Sequence, residues 1–286
     1  MTRKTLVYIL ALWLLSWFVL SACQAPQRRP LPAPRQPNAA ESGQNAGQQA
    51  KQPIRVERIY RQVQIFNGKS GIYAKNLKTG QAVANHEHDI FPTASTHKLV
   101  VALAVYKYLY DEVDKADKRE YDEQIKKMMT VSDNPAFYQL LDELEKRKPR
   151  ALTQVLLDLG LTKTRIHSKE AWRQFGYHSV TTPYEMAKVF ETIYQEQYLG
   201  KQKSVILKEE LAQTIFKEEI PRFMSRSKVM HKVGSLPGIL CDVGIVDDGK
   251  DQILISVYTK TKRSEEYASN FIAEVSAKLY QELRSQ

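Results

Sequence analysis

The 286-residue chain has only two cysteines, Cys23 and Cys241. The first ends an apolar N-terminal stretch and the second lies in a β-like run, so no disulfide between them is expected. No Cys/His cluster has the spacing of a metal site, and the sequence calls for no cofactor. No block of Lys and Arg is interleaved with aromatics, which argues against nucleic acid as a partner. No internal repeat occurs. The net charge of +10 is unevenly placed, because half of it falls before residue 54. The remaining +5 over residues 54–286 is the excess of an ordinary solvated surface.

Residues 1–22 combine Arg3 and Lys4 with the apolar run Leu6–Leu15 and end in Leu20-Ser21-Ala22, before Cys23. A small residue before a cysteine at the end of such a segment resembles the signal of bacterial lipoproteins. That resemblance implies lipidation of Cys23 and a membrane-anchored, extracytoplasmic protein. Residues 23–53 hold Gln, Pro, Ala, Asn and Gly with almost no large apolar side chain. Such a stretch cannot bury enough surface to offset its ordering entropy and reads as a flexible tether. Its basic character suits an anionic membrane or wall surface.

A folded domain is expected over residues 54–286. Val56, Ile59, Tyr60 and Val63 share one helix face. Ser70–Leu77 and Gln81–Asn85 flank Lys78-Thr79-Gly80 as a hairpin. The pattern is helical over about 93–225, with Thr182-Pro183-Tyr184-Glu185 as a helix start, threonine at the N-cap and glutamate at N3. Strands return at Val229–Val233, Cys241–Val246 and Ile253–Thr259, before a final helix from about Ser264 to Leu283. Strands at both chain ends around a helical middle predict an α/β (α+β, two-lobed) fold. Its antiparallel sheet is built from both ends of the chain, with flanking helices and an inserted helical lobe. The groove between the lobes is the expected site.

Ser95 precedes Lys98 by three residues in Phe91-Pro92-Thr93-Ala94-Ser95-Thr96-His97-Lys98, ahead of an apolar helix. Residues at i and i+3 share a helix face, so Lys98 can reach the Ser95 hydroxyl. A serine needs a neighbour to take its proton before it attacks, and a desolvated lysine serves. Ser132-Asp133-Asn134 and Lys232-Val233-Gly234-Ser235 follow in order. Singly, the second block is a helix cap and the third a strand end.

Together, the three blocks resemble the serine β-lactamases and penicillin-binding proteins, above all the class A β-lactamases. Phe91-Pro92-Thr93-Ala94 and Thr181-Thr182-Pro183-Tyr184-Glu185-Met186-Ala187 extend the likeness. The resemblance implies the β-lactamase/transpeptidase fold and a serine hydrolase, acting as a monomer on a β-lactam or cell-wall peptide. Ser95 would be the acylated nucleophile and Lys98 its proton partner. Ser132 would pass a proton to the leaving nitrogen, with Lys232 holding its hydroxyl polarised. Asn134 would bind the substrate's side-chain amide. The Ser95 and Ser235 N–H groups would form an oxyanion hole, and Ser235 and Lys232 would bind substrate.

Two positions depart from the family pattern. Glu170 is the candidate for the base that activates the deacylating water, but it lacks the proline that follows that glutamate in the family, and Gln174 stands where asparagine is usual. Val233 replaces a hydroxyl residue that helps bind the substrate carboxylate. The alternatives are a penicillin-binding-protein-like D-Ala-D-Ala peptidase that deacylates slowly, and a non-catalytic wall-binding lipoprotein. His231 is read as a packed or solvated residue rather than a catalyst, and His97 as pointing into the surroundings of its helix rather than at the substrate.

Overall fold

A computed structural model describes residues 56–285 except Arg226. The segments 1–22 and 23–53, and with them Cys23, lie outside the described residues. An N-terminal helix α1 (Glu57–Ile65) buries Ile59 and Gln62 and leads into the hairpin β1 (Lys69–Asn76) and β2 (Ala82–Asn85). Strands β5 (Lys228–Leu236), β6 (Ile239–Asp247) and β7 (Gln252–Lys260) precede α9 (Glu265–Leu283), capped by the Ser264 side chain. The five strands form one antiparallel sheet in the order β2-β1-β7-β6-β5, so β7 from the C-terminal part pairs directly with β1. This is the expected sheet built from both ends of the chain.

The sheet is buried on both faces, which explains why β6 and β7 read as nearly continuous apolar runs. Alternate residues of β6 divide between two cores. Cys241, Val243 and Ile245 pack with the helices, whereas Leu240 and Val246 pack with α1 and α9. Between β2 and β5 the chain forms α2 (Lys98–Ala104), α3 (Lys115–Thr130), α4 (Asn134–Arg147), α5 (Ala151–Asp158), α6 (Lys169–Phe175), α7 (Pro183–Tyr194) and α8 (Lys201–Ala212). The short strands β3 (Phe91–Pro92) and β4 (Val180–Thr181) pair with each other. Every residue of α2 is buried, an unusual environment for the lysine that starts it. α7 begins at the expected signal, with the Thr182 hydroxyl accepting from the Glu185 N–H.

Candidate active site

Ser95 sits in a 3-10 turn (Ala94–His97) that runs directly into α2. Thr96 fixes this turn: its hydroxyl lies 2.7 Å from the Thr93 carbonyl and 2.7 Å from the Tyr258 hydroxyl on β7. Ala94, just before the nucleophile, has φ +42°, and Ser132 has φ +56°. A non-glycine residue in this region costs of order 1–3 kcal/mol, so the surrounding structure holds both turns against their preference. β5 runs past the nucleophile at close range. A Cβ on Gly234 would lie 2.7 Å from the Ser95 nitrogen, so only glycine lets the strand approach that N–H.

Ser132 stands between the two lysines. Its Oγ accepts from Lys98 Nζ at 3.2 Å and from Lys232 Nζ at 2.9 Å. Both acceptor positions of the hydroxyl are then occupied, which leaves its own proton for a third partner. Lys98 also donates to the Ser132 carbonyl at 2.6 Å and to Asn134 Oδ1 at 2.7 Å. Its three donors are thereby engaged, and it makes no hydrogen bond to Ser95 Oγ in this state. Asn134, expected on the substrate, here holds Lys98. Asp133 plays the capping part of its block, accepting from the Ala136 N–H at 2.7 Å. Lys232 also donates to the Val233 carbonyl at 2.9 Å.

Burial governs the electrostatics. Lys98 and Lys232 are each 1% exposed. Desolvation lowers Lys98 to about 8, with Asp133 opposing. Desolvation and then the Lys98 charge lower Lys232 to about 7. Burial likewise pushes His97 down to about 3, with Lys98 adding to it, so the ring is neutral. It packs edge-on against Phe137, with Nδ1 3.2 Å from the Thr93 hydroxyl. His97 is a packed residue, as expected.

The face of β5 opposite Lys232 holds a polar pair, of which the expectation of a packed or solvated His231 covers only half. His231 is fully buried, with Nδ1 2.9 Å from both Asp242 carboxylate oxygens and Nε2 3.1 Å from the Phe216 carbonyl. Asp242 also accepts from the Ile220 N–H at 3.1 Å. The pair thus grips both ends of the 216–220 connector between α8 and β5, and the Phe216 ring lies 5.9 Å from Lys232 Nζ. The same connector bonds the end of α3 through Ile215 N–H to the Thr130 carbonyl at 3.0 Å, two residues before Ser132. Gly244, opposite His231, leaves room for it, since a Cβ there would sit 2.5 Å from the His231 Cβ. The β5–β6 register brings His231 to Asp242, and the two-residue Pro237-Gly238 turn between Leu236 and Ile239 is the local signal for that register.

Glu170 is not brought to this site. It lies exposed on α6, without a hydrogen bond or ion pair among the described residues. Ser168 caps α6 by accepting from the Ala171 N–H, and Ala171 is the residue the helix buries. Neighbouring helix positions differ by about 100°, so burying Ala171 swings Glu170 toward solvent. Gln174 is exposed as well. The loop is closed through its backbone. Arg165 and Val180 exchange backbone hydrogen bonds of 2.9 Å, and the Ser168 N–H donates to the His178 carbonyl at 2.8 Å. Buried Glu185 then accepts from the N–H groups of Lys163 at 2.9 Å and Thr164 at 2.7 Å, and from the Thr164 hydroxyl at 2.6 Å. The N3 glutamate read as part of a helix start is also the anchor of this loop.

Val233 turns away from Ser132 and packs into the core beside α9. Ser235, two residues on, donates its hydroxyl to Glu265 Oε1 at 3.0 Å.

Solved structures with this fold include a β-lactamase from Sphaerobacter thermophilus, 17% identical, with a TM-score of 0.68 over 80% of this chain and 97% of that one. A variant of PBP-A, solved as an acyl-enzyme complex with penicillin G, is 21% identical, with a TM-score of 0.68 over 79% of this chain and 94% of its own. An ancestral class A β-lactamase is 22% identical, with the same score over 79% and 98%. No curated protein matches the chain. The model of the β-lactamase enzyme family matches residues 55–126 and 112–283. Matched over nearly all of its described length, the chain belongs to the β-lactamase enzyme family and has the β-lactamase/transpeptidase-like fold.

Proposed function

We propose that this protein is a serine hydrolase of the β-lactamase type that opens β-lactam amides through an acyl-Ser95 intermediate and releases the acyl group slowly. The observation that carries the reading is the Ser132 hydroxyl, held by Lys98 and Lys232 together. Once Lys98 loses a proton, its lone pair can accept the Ser95 proton as Oγ attacks the carbonyl carbon. The new O–C bond forms, the C–N bond breaks, and the leaving nitrogen takes the proton that Ser132 has free. Lys98 returns a proton to Ser132 through their hydrogen bond. The Ser95 and Ser235 N–H groups stabilise the oxyanion.

Release needs a second base to activate water, and the exposure of Glu170 favours slow release. It also supports the second reading, a D-Ala-D-Ala peptidase that β-lactams acylate and that frees itself slowly. The protein acts as a monomer on a β-lactam or a wall peptide, anchored outside the cytoplasm through lipidated Cys23. Incubation with benzylpenicillin followed by intact mass measurement tests the proposal. The expected result is one adduct, of the mass of the whole penicillin, on the peptide containing Ser95. Absence of an adduct with any penicillin overturns it in favour of a non-catalytic wall-binding protein.

A further inference from the structure

β5 is an edge strand, and beyond Gly234 its free edge forms the rim past Ser95. An extended substrate attached at Ser95 runs along that edge as an added strand would. The side chains of the rim carry an unexpected charge. Val233 offers no donor and is turned into the core. The Ser235 hydroxyl is committed to the Glu265 carboxylate at 3.0 Å. Glu265 is the first residue of α9, and Glu266 follows it, which places two acidic side chains in the first turn of that helix. Three cations stand nearby: Lys260, Lys262 and Arg263 line the adjoining groove, and Arg263 also lines the one that Glu265 lines. Lys260 Nζ lies 5.6 Å from the Tyr177 ring centroid and Arg263 Cζ lies 5.4 Å from that of Tyr267. Neither these two nor Lys262 forms an ion pair with Glu265 among the described residues.

We propose that Glu265 is a specificity-determining residue that makes the β5 rim disfavour acyl donors with a free carboxylate beside the scissile bond. The preferred class is a donor that is neutral or cationic there, such as an amide, an ester or an amine-bearing chain. A carboxylate arriving at the rim meets a like charge and finds the serine hydroxyl already bonded. A donor carrying N–H groups finds an acceptor. The inference rests on the acyl-Ser95 reading.

The test compares acylation rates of benzylpenicillin and its methyl ester, followed by intact mass, in the wild type and in Glu265→Gln. Glu265 is exposed, so the isosteric change leaves the core untouched. The expected result is that the ester-to-acid rate ratio falls about three- to tenfold in Glu265→Gln, the size of a partly exposed charge contact. The difference should shrink as salt rises from about 0.05 to 1 M, which a purely structural effect would not do. A ratio unchanged in Glu265→Gln overturns the inference and assigns the rim potential to Lys260, Lys262 and Arg263. No adduct from either compound in any variant instead overturns the acyl-Ser95 reading beneath it.

Discussion

Strand β5 and the 165–180 loop both pack against the turn that carries Ser95, but they are held by different means. On the β5 side Lys98, Lys232, His231 and Asp242 are buried and Ser132 is half-buried, and their polar atoms bond to one another or to backbone. On the loop side, backbone bonds across Arg165 and Val180 and the Glu185 carboxylate hold the chain, while the side chains of α6 other than Ala171 are exposed. The chemistry explains the first arrangement. A lysine serves as a base near neutral pH only if desolvation lowers its proton affinity, and desolvated groups must be fully bonded. A loop closed through its backbone imposes no such demand, so its exposed positions can lose a base without the fold failing. The acylating half of the site is therefore rigidly specified, and the deacylating half is not.

Removing Lys232 breaks the β5 side most severely. Lys232→Ala takes one of two donors from Ser132, and acylation of Ser95 should slow by about 10²–10⁴-fold, read by stopped-flow with a chromogenic cephalosporin. His231→Leu should cost about 3–5 kcal/mol in urea unfolding, because it leaves Asp242 buried without its partner. Acylation should slow in the same variant as the 216–220 connector loosens. On the loop side, Glu185→Ala removes the acceptor of the Lys163 and Thr164 N–H groups and should cost about 1–3 kcal/mol. Hydrogen exchange should then quicken at 163–180 while β5 keeps its protection.

The pH dependence separates the two sides further. Lys98 and Lys232 lie at about 8 and about 7, and they interact, so the pair titrates jointly across that range. The base form accumulates as pH rises. Acylation should therefore climb about tenfold from pH 6 to 7 and level off near pH 9. A flat profile over that window would remove the lysine pair from the proton path.

Much of the acylating half was legible because its signals are local or ordered. Ser95 and Lys98 share a turn at i, i+3, and the three short blocks appear in sequence. The sheet followed from apolar runs at both chain ends. The links that complete the site are long-range. Ser132 meets Lys232 across 100 residues, and His231 meets Asp242 only because β5 and β6 pair in one register. Glu170 stands where the family pattern calls for a base, four residues before Gln174, yet the neighbouring Ser168 carries a cap signal that sets the rotation of α6. Reading that cap first would have turned Glu170 outward. Glu185 shows the reverse: a residue with an evident capping role also took a second, distant one.

The smallest expected change is the most telling. Glu170→Gln should alter neither the formation nor the lifetime of the Ser95 adduct by more than about twofold, within the usual effect of a surface substitution. The direct test is the time course of the intact mass of both proteins after a short exposure to benzylpenicillin. The expected result is a stoichiometric adduct on Ser95 that persists equally in the wild type and in Glu170→Gln. Rapid turnover in the wild type, replaced by a trapped adduct in Glu170→Gln, would contradict it.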